Sequence, residues 1–552
     1  MHTFKLHPGQ SNHRILVCLL AYLLFACCAR PVLAQEWIYT IQPGDNLWNF
    51  YEEYLTDINY WYRLQKLNNI DHPRQMLPGS KIRVPVAWLK IQPVTAQVAQ
   101  VQGSAELLRA GESGSRTLEN GTELRIGDSV RTGPDSNVSI RFADGSELLV
   151  LADSEVVMDT LSSYHKTGMV DTRVRLQKGR VDTRVKPAKG PGSQYHIITP
   201  AAVAAVRGTN FRVSTEHDQP VSRSEVLEGK VNVSGDQGGQ DVPGGYGTVA
   251  EKGKPPIKPR ELLPAPVTAG IKQHYQRLPL QFTWDPVNNA QGYRFQIASS
   301  RDFSPLLADR ETSAPNGLWH DLPDGEYVLR LRAIDDLRLE GMNSDIAFSV
   351  DARPFPPLLI EPKLDQLLRT ERPALTWSEP EGVTKYHLQI ASDADFQSLV
   401  HDETGHSRPN YQPAAALAEG QYYWRIASID ASGEQGPYSD SRQFEYRAAP
   451  PNPEFQEPQL DKNTLVIQWQ SGAENVQYHF QFAADADFDD VIIDRIIDEP
   501  RIEMDRPIPE QYYFRAKAIA SDGFAGEFSP AQKIVIPPTS YWSFLIPLLL
   551  LF

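Results

Sequence analysis

The chain has almost no cysteine and an excess of negative over positive charge. Its 552 residues include three cysteines, Cys18, Cys27 and Cys28, all within the first 34 residues. Beyond residue 34 the sequence therefore excludes disulfides, thiolate metal sites and a cysteine nucleophile. The net charge of −15 argues against nucleic acid or an anionic membrane surface as a partner.

Sequence motifs of common catalytic sites are also absent. The chain has no nucleophile elbow, phosphate-binding loop or zinc-protease motif. The closest histidine pair downstream of residue 34, His401 and His406, lies in an acidic segment at a spacing that is poor for metal binding. We therefore predict a protein that is not an enzyme and that binds no metal and no other cofactor.

The two ends of the chain are apolar. Residues 1–34 have the pattern of a secretory signal, with Lys5 and Arg14 before an apolar run and a cleavage motif that ends at Ala34. A lipoprotein motif that ends at Cys27 is the alternative. We expect export to the periplasm or cell envelope. The apolar tail 541–552 would reach about 18 Å as a helix, short of a bilayer core of about 30 Å. Membrane contact and packing on protein both stay open for this tail.

Residues 37–86 combine two Pro-Gly turns with two helix-like segments. Pro43-Gly44 follows the strand-like residues 37–41, and Pro78-Gly79 precedes the strand-like residues 81–84. Asp45 and Asp57 are placed to cap the helices between them. The predicted order is βααβ.

This segment resembles a LysM domain, through its Gly-Asp-x-Leu-Trp opening and its Pro-Gly-x-x-Ile-x-Val-Pro end. The resemblance implies a shallow groove for peptidoglycan or another N-acetylglucosamine-containing glycan. The implied glycan-binding residues are Gly44, Asp45, Asn46, Leu47, Gln75, Met76, Leu77 and Pro78. The alternative is a small βααβ domain that only packs against its neighbours.

Residues 94–234 contain short strand-like segments separated by Gly and Asp turns. Apolar residues alternate at Val138, Ile140 and Phe142, as in half-buried strands. The pattern predicts a β-helix or a stacked β-sandwich. A Thr-Pro pair, a small apolar run and Val-Arg-Gly-Thr before an aromatic residue, all within 198–213, resemble the FecR domain.

The FecR resemblance implies the periplasmic part of a regulator that signals to a cytoplasmic sigma factor. We expect a periplasmic interaction domain here instead, because no cytoplasmic segment precedes the apolar start. Arg207, Gly208 and Thr209 of the motif are candidates for either structural contacts or ligand contacts.

Residues 236–264 are rich in Gly, Pro and Lys and are predicted to be a linker. Three repeats follow, at 265–352, 353–447 and 448–537, marked by Trp284, Trp377 and Trp469. A period near 90 residues is typical of a seven-stranded sandwich, and the repeats resemble fibronectin type III domains. In such domains a tyrosine hydroxyl braces one corner, and Tyr327, Tyr422 and Tyr512 occupy the matching positions.

An acidic segment in the third repeat, residues 485–490, looks like a calcium loop. It lacks the required glycine, and the first repeat has Ser300-Arg-Asp302 in its place. A solvated turn is therefore the preferred interpretation.

The sequence as a whole predicts a multidomain, mainly β protein. It would consist of a βααβ LysM module, a β-helix-like or β-sandwich-like FecR domain and three immunoglobulin-like or fibronectin-like β-sandwiches. The leading hypothesis is a cell-envelope adaptor that binds peptidoglycan and presents its other domains to an unknown envelope protein. The alternatives are a FecR-type signal sensor and a cell-wall hydrolase with an unrecognised site.

Overall fold

The computed structural model describes residues 35–216, 220–470, 472 and 475–538. The chain divides into two compact units, Met1–Val350 and Asp351–Phe552. The predicted signal at 1–34, the lipidation motif at Cys27 and the apolar tail at 541–552 lie outside the described residues. No helix in the described part of the chain has the length and apolar character needed to cross a membrane.

The first element group is a small βααβ module. Strand β1 (Glu36–Thr40) pairs antiparallel with β2 (Lys81–Pro85), and helices α1 (Leu47–Tyr54) and α2 (Asn59–Leu67) lie between them in sequence. Leu47 and Phe50 lie on one face of α1 and are buried, as is Leu64 of α2. The element order agrees with the sequence prediction.

The helix caps differ from the prediction. The cap of α1 is Asn46, whose side chain accepts a hydrogen bond from the backbone N–H of Asn49, and not Asp45. Residue Ile58 precedes α2, while the Asp57 carboxylate accepts from the Asn59 N–H at 2.8 Å. The Asp45 carboxylate instead accepts a hydrogen bond within the preceding turn, from the Gln42 N–H at 2.6 Å.

A central β domain follows, built from eighteen strands that pair into a closed barrel. Its strands are β3 Gln92–Pro93, β4 Ala96–Gln102, β5 Ala105–Leu108, β6 Ser115–Thr117, β7 Glu123–Leu124, β8 Ser129–Thr132, β9 Asn137–Arg141, β10 Glu147–Val150, β11 Glu155–Ser163, β12 Val170–Arg184, β13 Gln194–Ile198, β14 Val203–Val206, β15 Asn210–Thr215, β16 Val221–Glu228, β17 Lys230–Gly235, β18 Gly238–Pro243, β19 Tyr246–Glu251 and β20 Arg260–Glu261. The long strand β12 joins two sheets, because its first half pairs with β11 and β13 and its second half with β10 and β15.

Two expectations for this region are wrong. A β-helix is excluded because the strand pairs of the central domain are antiparallel, with β12 and β13 as the parallel exception. The predicted linker at 236–264 is also wrong, since β18 and β19 continue the domain there. The glycines that suggested a flexible linker serve as hairpin turns: Gly238 pairs with Gly235, and Gly245 has φ +82°.

Repeat 1, from β21 to β27, has seven strands in sheets of five and two, the strand number predicted for the sandwich. Its strands are β21 His274–Tyr275, β22 Leu280–Thr283, β23 Gly292–Ala298, β24 Leu306–Thr312, β25 Asn316–Trp319, β26 Gly325–Ile334 and β27 Ser344–Val350. Phe282 and Trp284 are buried in its core.

Repeats 2 and 3 belong to the second unit and are also β-sandwiches. Repeat 2 contains β28 Leu359–Glu361, β29 Gln366–Leu368, β30 Leu375–Trp377, β31 Val383–Ala391, β32 Leu399–His406, β33 Asn410–Tyr411, β34 Gly420–Asp430, β35 Gln435–Tyr438 and β36 Arg442–Tyr446. Repeat 3 contains β37 Glu454–Phe455, β38 Gln459–Leu460, β39 Thr464–Gln470, β40 Gln477–Ala483, β41 Val491–Ile497, β42 Arg501–Asp505, β43 Gln511–Ile519 and β44 Gln532–Val535. Trp377 and Trp469 are buried as Trp284 is.

The corner tyrosines behave as predicted in the first two repeats. The Tyr327 hydroxyl donates to the Pro323 carbonyl at 2.8 Å, and the Tyr422 hydroxyl donates to the Ala418 carbonyl at the same distance. Tyr512 is buried in repeat 3. The two hydrogen bonds fix the start of β26 in repeat 1 and of β34 in repeat 2.

The acidic segment of repeat 3 is a braced turn. The Asp485 carboxylate accepts hydrogen bonds from the backbone N–H groups of Asp487, Asp489 and Asp490, between 2.7 and 3.1 Å. These bonds hold the pKa of Asp485 below its ordinary value. The carboxylate thus has a local structural use.

Candidate functional site

Two loops of the βααβ module lie side by side at the end of the β1–β2 pair. The Leu47 N–H donates to the Pro73 carbonyl at 2.8 Å, and the Gly79 N–H donates to the Ile41 carbonyl at 2.8 Å. Gly44 and Gly79 have φ of +91° and +83°, and a Cβ at either position would meet open space. The loops therefore form an open edge on which backbone groups are accessible.

The eight residues predicted to bind glycan fall into three classes by exposure. Gly44, Gln75, Leu77 and Pro78 are exposed, and Leu77 has 74% of its surface accessible. Asp45 and Asn46 are half-buried. Leu47 and Met76 are buried in the module core, so their side chains cannot contact a ligand there.

Asp45 organises the first of these loops. Besides the Gln42 N–H, its carboxylate accepts a hydrogen bond from the Tyr39 hydroxyl at 2.8 Å. Burial first, and then this bond to Asp45, raise the pKa of the Tyr39 phenol well above its usual range. Asp45 thus holds the turn in shape and is only partly accessible to a ligand.

The FecR-motif residues Arg207, Gly208 and Thr209 form a turn against neighbouring backbone. The Arg207 guanidinium donates to the Pro191 carbonyl at 3.2 Å, and the Thr209 hydroxyl donates to the Lys230 carbonyl at 3.3 Å. Gly208 has φ +113°, and a Cβ there would lie 2.8 Å from Cα of Pro187. These contacts are structural.

The βααβ module shares a buried core with the central domain. Tyr164 and Met169, from the turn between β11 and β12, are buried in the same cluster as Leu47 and Phe50. At the rim of this contact, Lys166 Nζ lies 2.6 Å from Glu53 Oε1. The module and the central domain are therefore packed as one body and not as beads on a flexible string.

The central domain also packs directly on repeat 1, through two apolar clusters. The first joins Leu151 to Phe303 and Leu306, and the second joins Val249 to Leu339. At the first cluster, the Asn137 side-chain amide also donates to the Leu306 carbonyl at 2.8 Å. Repeat 1 is thus attached to the central domain over a broad surface.

A buried group of charges lies within this interface. Arg332 of repeat 1 contacts Asp182 of the central domain at 2.9 Å, and Arg180 of the central domain contacts Glu340 of repeat 1 at 3.1 Å. Glu340 also pairs with Arg294 and Arg332, each at 2.7 Å. An unpaired buried charge is costly. The network therefore favours the docked arrangement in which the charges of the two domains are paired.

The network shifts the pKa values of two buried carboxylates in opposite directions. Burial alone would raise the pKa of Glu340, but Arg294, Arg332 and Arg212 outweigh it and hold that pKa well below its ordinary value. Burial raises the pKa of Glu225 to about 7, only partly offset by Arg212. The arginines thus keep Glu340 ionised, whereas burial favours the protonated form of Glu225.

A cleft of about 410 Å³ opens beside this network. Its lining mixes arginines with carboxylates, including Arg184, Arg330, Asp182 and Asp345. Arg330 is already engaged by Asp345 in two hydrogen bonds of 2.7 Å. Across the part of the chain that the structure describes, no group of three or more His, Cys, Asp or Glu side chains could hold a metal ion.

Residues 128–232 of the central domain match the family model described as FecR protein. These residues form a FecR domain. The match contains the Arg207-Gly208-Thr209 turn, the Tyr164–Met169 contact with the βααβ module, and Arg212 and Glu225 of the interface with repeat 1. The predicted FecR resemblance is therefore confirmed for this part of the chain. No curated protein matches the chain.

Solved structures that resemble the chain do so at low overall similarity. Two crystal structures of a protein assigned as an anti-sigma factor from Parabacteroides distasonis ATCC 8503 match with 14% identity, covering 24% of this chain and 59% of that chain, at a TM-score of 0.21. The chain thus spans less than two thirds of the length of that protein. The FN1–FN3 domains of chicken CNTN1 match with 14% identity over 50% of this chain and 99% of that chain, also at 0.21. TM-scores this low carry no argument about function.

The residues of the interface with repeat 1 were not among the sequence candidates. A signal for them exists, because the repeats differ at these positions: Arg294 aligns with His387 and His479 in the repeated Tyr-x-Phe/Leu-Gln strand. A charged residue that only one repeat carries, on a strand otherwise shared by all three, indicates a surface with a special neighbour.

Proposed function

We propose that this chain is a FecR-type sensor protein of the cell envelope, in which the FecR domain receives a signal together with its two attached neighbours. Proteins of the FecR family are envelope-associated. Family members of the best-known kind pass a signal from the periplasm to a sigma factor. Because residues 128–232 match the FecR family model, we propose that role for this chain in place of the interaction domain expected from the sequence. We infer that the chain acts by binding and not by catalysis.

The observation that carries this proposal is the pair of shared cores on either side of the FecR domain. Met169 buries the domain against the βααβ module, and Leu151 buries it against repeat 1. A ligand that binds either neighbour therefore acts on a surface in direct packing contact with the FecR domain. Coupling between sites needs such a contiguous element.

The proposal is tested by transcription. A strain that lacks the chain is complemented with the wild-type chain, with the Met169→Ala variant or with the Met158→Ala variant. Met169 lies at the contact with the βααβ module, whereas Met158 lies in the FecR core. We expect the wild type to restore a defined set of transcripts and Met169→Ala to restore them poorly at equal protein level.

Met158→Ala controls for general destabilisation, since both changes remove a buried methionine. If the wild type restores no transcript, the sensor proposal fails. If Met169→Ala restores every transcript as well as the wild type does, the attached module has no part in signalling.

A second proposed function is glycan binding by the βααβ module. It is favoured by the open edge at Gly44 and Gly79 and by the exposed Leu77, which offers an apolar surface beside accessible backbone groups. The N-acetylglucosamine-containing glycan of peptidoglycan is the ligand we propose. A shallow site of this kind is expected to bind weakly in one copy.

Sedimentation of the full chain with purified peptidoglycan tests this function. Deleting residues 37–86 is a poor test, because it would uncover Tyr164 and Met169. We instead compare Leu77→Asp with Ile38→Asp, which places the same charge at an exposed position on β1. We expect Leu77→Asp to lower the sedimented fraction several-fold and Ile38→Asp to leave it unchanged.

Wild-type chain that stays in the supernatant, or two variants that sediment alike, would refute the proposed groove. A zymogram on the same material tests the hydrolase alternative, and cleared peptidoglycan would contradict the non-catalytic role.

A further inference from the structure

Glu225 is the most weakly paired carboxylate of the interface between the FecR domain and repeat 1. Its side chain is 3% exposed, and its closest cation is Nε of Arg212 at 3.8 Å, beyond hydrogen-bonding distance. Its one hydrogen bond comes from the backbone N–H of Glu340, at 3.3 Å. The Arg212 guanidinium donates elsewhere, to the carbonyl oxygens of Glu340 and Gly341.

The groups that surround Glu225 do not balance its charge. Arg212 on β15 attracts it, whereas Glu340 of repeat 1 and Asp182 on β12 repel it. Arg212 is itself shared with Glu340 and Asp182 and is repelled by Arg332. On β19 the residue opposite Glu225 is Gly247, and a glycine adds no charge.

The other carboxylates of the interface are better compensated. Glu340 has Arg180, Arg294 and Arg332 within 3.1 Å. Asp182 has Arg332 at 2.9 Å. Asp309 of repeat 1, whose pKa is also raised by burial, has Arg294 at 2.6 Å. Glu225 is therefore the member of the network at which an added proton relieves the most unfavourable charge.

We propose that protonation of Glu225 strengthens the contact between the FecR domain and repeat 1, so that acidification of the surroundings tightens this contact and a rise in pH loosens it. The proposal concerns the interface itself and holds whichever partner or ligand the FecR domain has. It gives the FecR domain and repeat 1 a graded response to the pH of the compartment.

The direction and the pH window follow from linkage. Burial raises the pKa of Glu225 from an ordinary value of 4.5 to about 7 when repeat 1 is docked. Because the docked pKa is the higher one, the added stability is fully present below about pH 4.5 and is lost as the pH rises to about 7. Within that window the opening constant rises about tenfold per pH unit. The pKa of Glu340 is displaced downward, so Glu340 weakens the interface only under more acidic conditions.

Hydrogen exchange of the full chain, followed by mass spectrometry, measures the opening. The informative peptides cover β16, which carries Glu225, and residues 335–343 of repeat 1, in which the Glu340 N–H donates to Glu225 across the interface. After correction for the intrinsic pH dependence of exchange, we expect their opening to rise about 40-fold from about pH 5 to about pH 7. Glu225→Gln mimics the protonated side chain, and we expect it to abolish most of that rise.

Glu228→Gln is the matched control, because Glu228 is exposed on the same strand. It should keep the wild-type pH dependence. Wild-type pH dependence in Glu225→Gln would overturn the proposal. If Glu225→Gln does not fold, the wild-type chain decides alone: opening of these peptides that does not vary across the window contradicts the proposal as well.

Discussion

Repeat 1 and repeats 2 and 3 share one fold and one internal signature, but differ on one face. In each repeat an arginine on β26, β34 or β43 lies over the ring of a phenylalanine, at 3.6 to 4.0 Å from the ring centroid. The pairs are Arg330 on Phe303, Arg425 on Phe396 and Arg515 on Phe488. Each phenylalanine has a left-handed backbone, with φ between 57° and 62°. The shared signature belongs to the sandwich itself, since it recurs whatever the neighbour is.

The differing face is the one that repeat 1 buries against the FecR domain. Strand register aligns Arg294 and Arg332 of repeat 1 with His387 and Ala427 of repeat 2. Short bridges at the ends of the same strands align Glu340 with Gln435. Repeat 2 thus carries at this face a half-buried histidine beside the exposed Asp402 and no buried ion cluster.

The aligned edge strands show the same contrast. Leu306 of repeat 1 is 2% exposed beneath the FecR domain, whereas Leu399, at the same register position of repeat 2, is 42% exposed. Repeat 3 exposes Ile492 and Ile496 on the equivalent strand. The three repeats therefore share one fold but differ at a few residues on one face. This face is buried against the FecR domain in repeat 1, whereas the equivalent edge strands of repeats 2 and 3 have exposed apolar side chains.

Removal of the Glu340 side chain should give the largest loss of stability, and this loss should be confined to repeat 1. Glu340→Ala leaves Arg294 and Arg332 buried without their shared carboxylate, and such a loss costs about 3–5 kcal/mol. The free energy of local unfolding of β26, measured by denaturant-dependent hydrogen exchange, should fall by that amount.

Gln435→Ala is the control at the aligned position of repeat 2. Gln435 is exposed, so the same measurement on β34 should change by less than about 0.5 kcal/mol. Equal effects in the two repeats would show that the buried charges of repeat 1 do not stabilise it.

Much of the fold was predictable from the sequence because its signals are local. The βααβ order follows from two Pro-Gly turns and from apolar residues spaced along one helix face, and Leu47, Phe50 and Leu64 are indeed buried. The three sandwiches follow from the repeated tryptophans. The linker at 236–264 was mispredicted because glycine serves hairpin turns and flexible segments alike, and only pairing partners distant in sequence distinguish the two.

The site was less predictable, since it depends on contacts between domains. Leu47 and Met76 fit a groove motif in sequence, yet their side chains are in the core. The cap of α1 is Asn46 and not the expected Asp45. The turn before the helix engages the Asp45 carboxylate through the Gln42 N–H, and the sequence does not show this bond. Glu225 and Arg212 carry no local signal, because their neighbours come from repeat 1, more than 100 residues away in the chain.

The shared arginine signature should give a smaller effect that is equal in repeats 2 and 3. Arg425→Ala and Arg515→Ala each remove two cation–π contacts. They also remove the hydrogen bonding to a glutamine, at 2.9 Å from Nε for both Arg425–Gln389 and Arg515–Gln481. We expect each substitution to cost about 1–2 kcal/mol in the unfolding of its own repeat.

Arg495→Ala, at an exposed position on β41, controls for loss of a surface charge and should change the stability of repeat 3 by less than about 0.5 kcal/mol. Chemical denaturation of the full chain, read by exchange of β34 and β43, supplies these values. A cost in one repeat without a matching cost in the other would show that the signature is not a common element of the sandwich.

Loss of the corner tyrosine hydroxyls should give the smallest effect, and it should be equal in repeats 1 and 2. Tyr327→Phe and Tyr422→Phe each remove one hydrogen bond of 2.8 Å and keep the ring stacked on Phe348 or Phe444, at 5.6 Å in both repeats. A hydrogen bond of this kind contributes about 0.5–1.5 kcal/mol. Because the local geometry is the same, the two substitutions should lower stability equally, as measured by exchange of β26 and β34. A clearly larger loss of stability for Tyr327→Phe would mean that attachment to the FecR domain also depends on this corner. In repeat 1 the shared core and the face that binds the FecR domain would then not be independent.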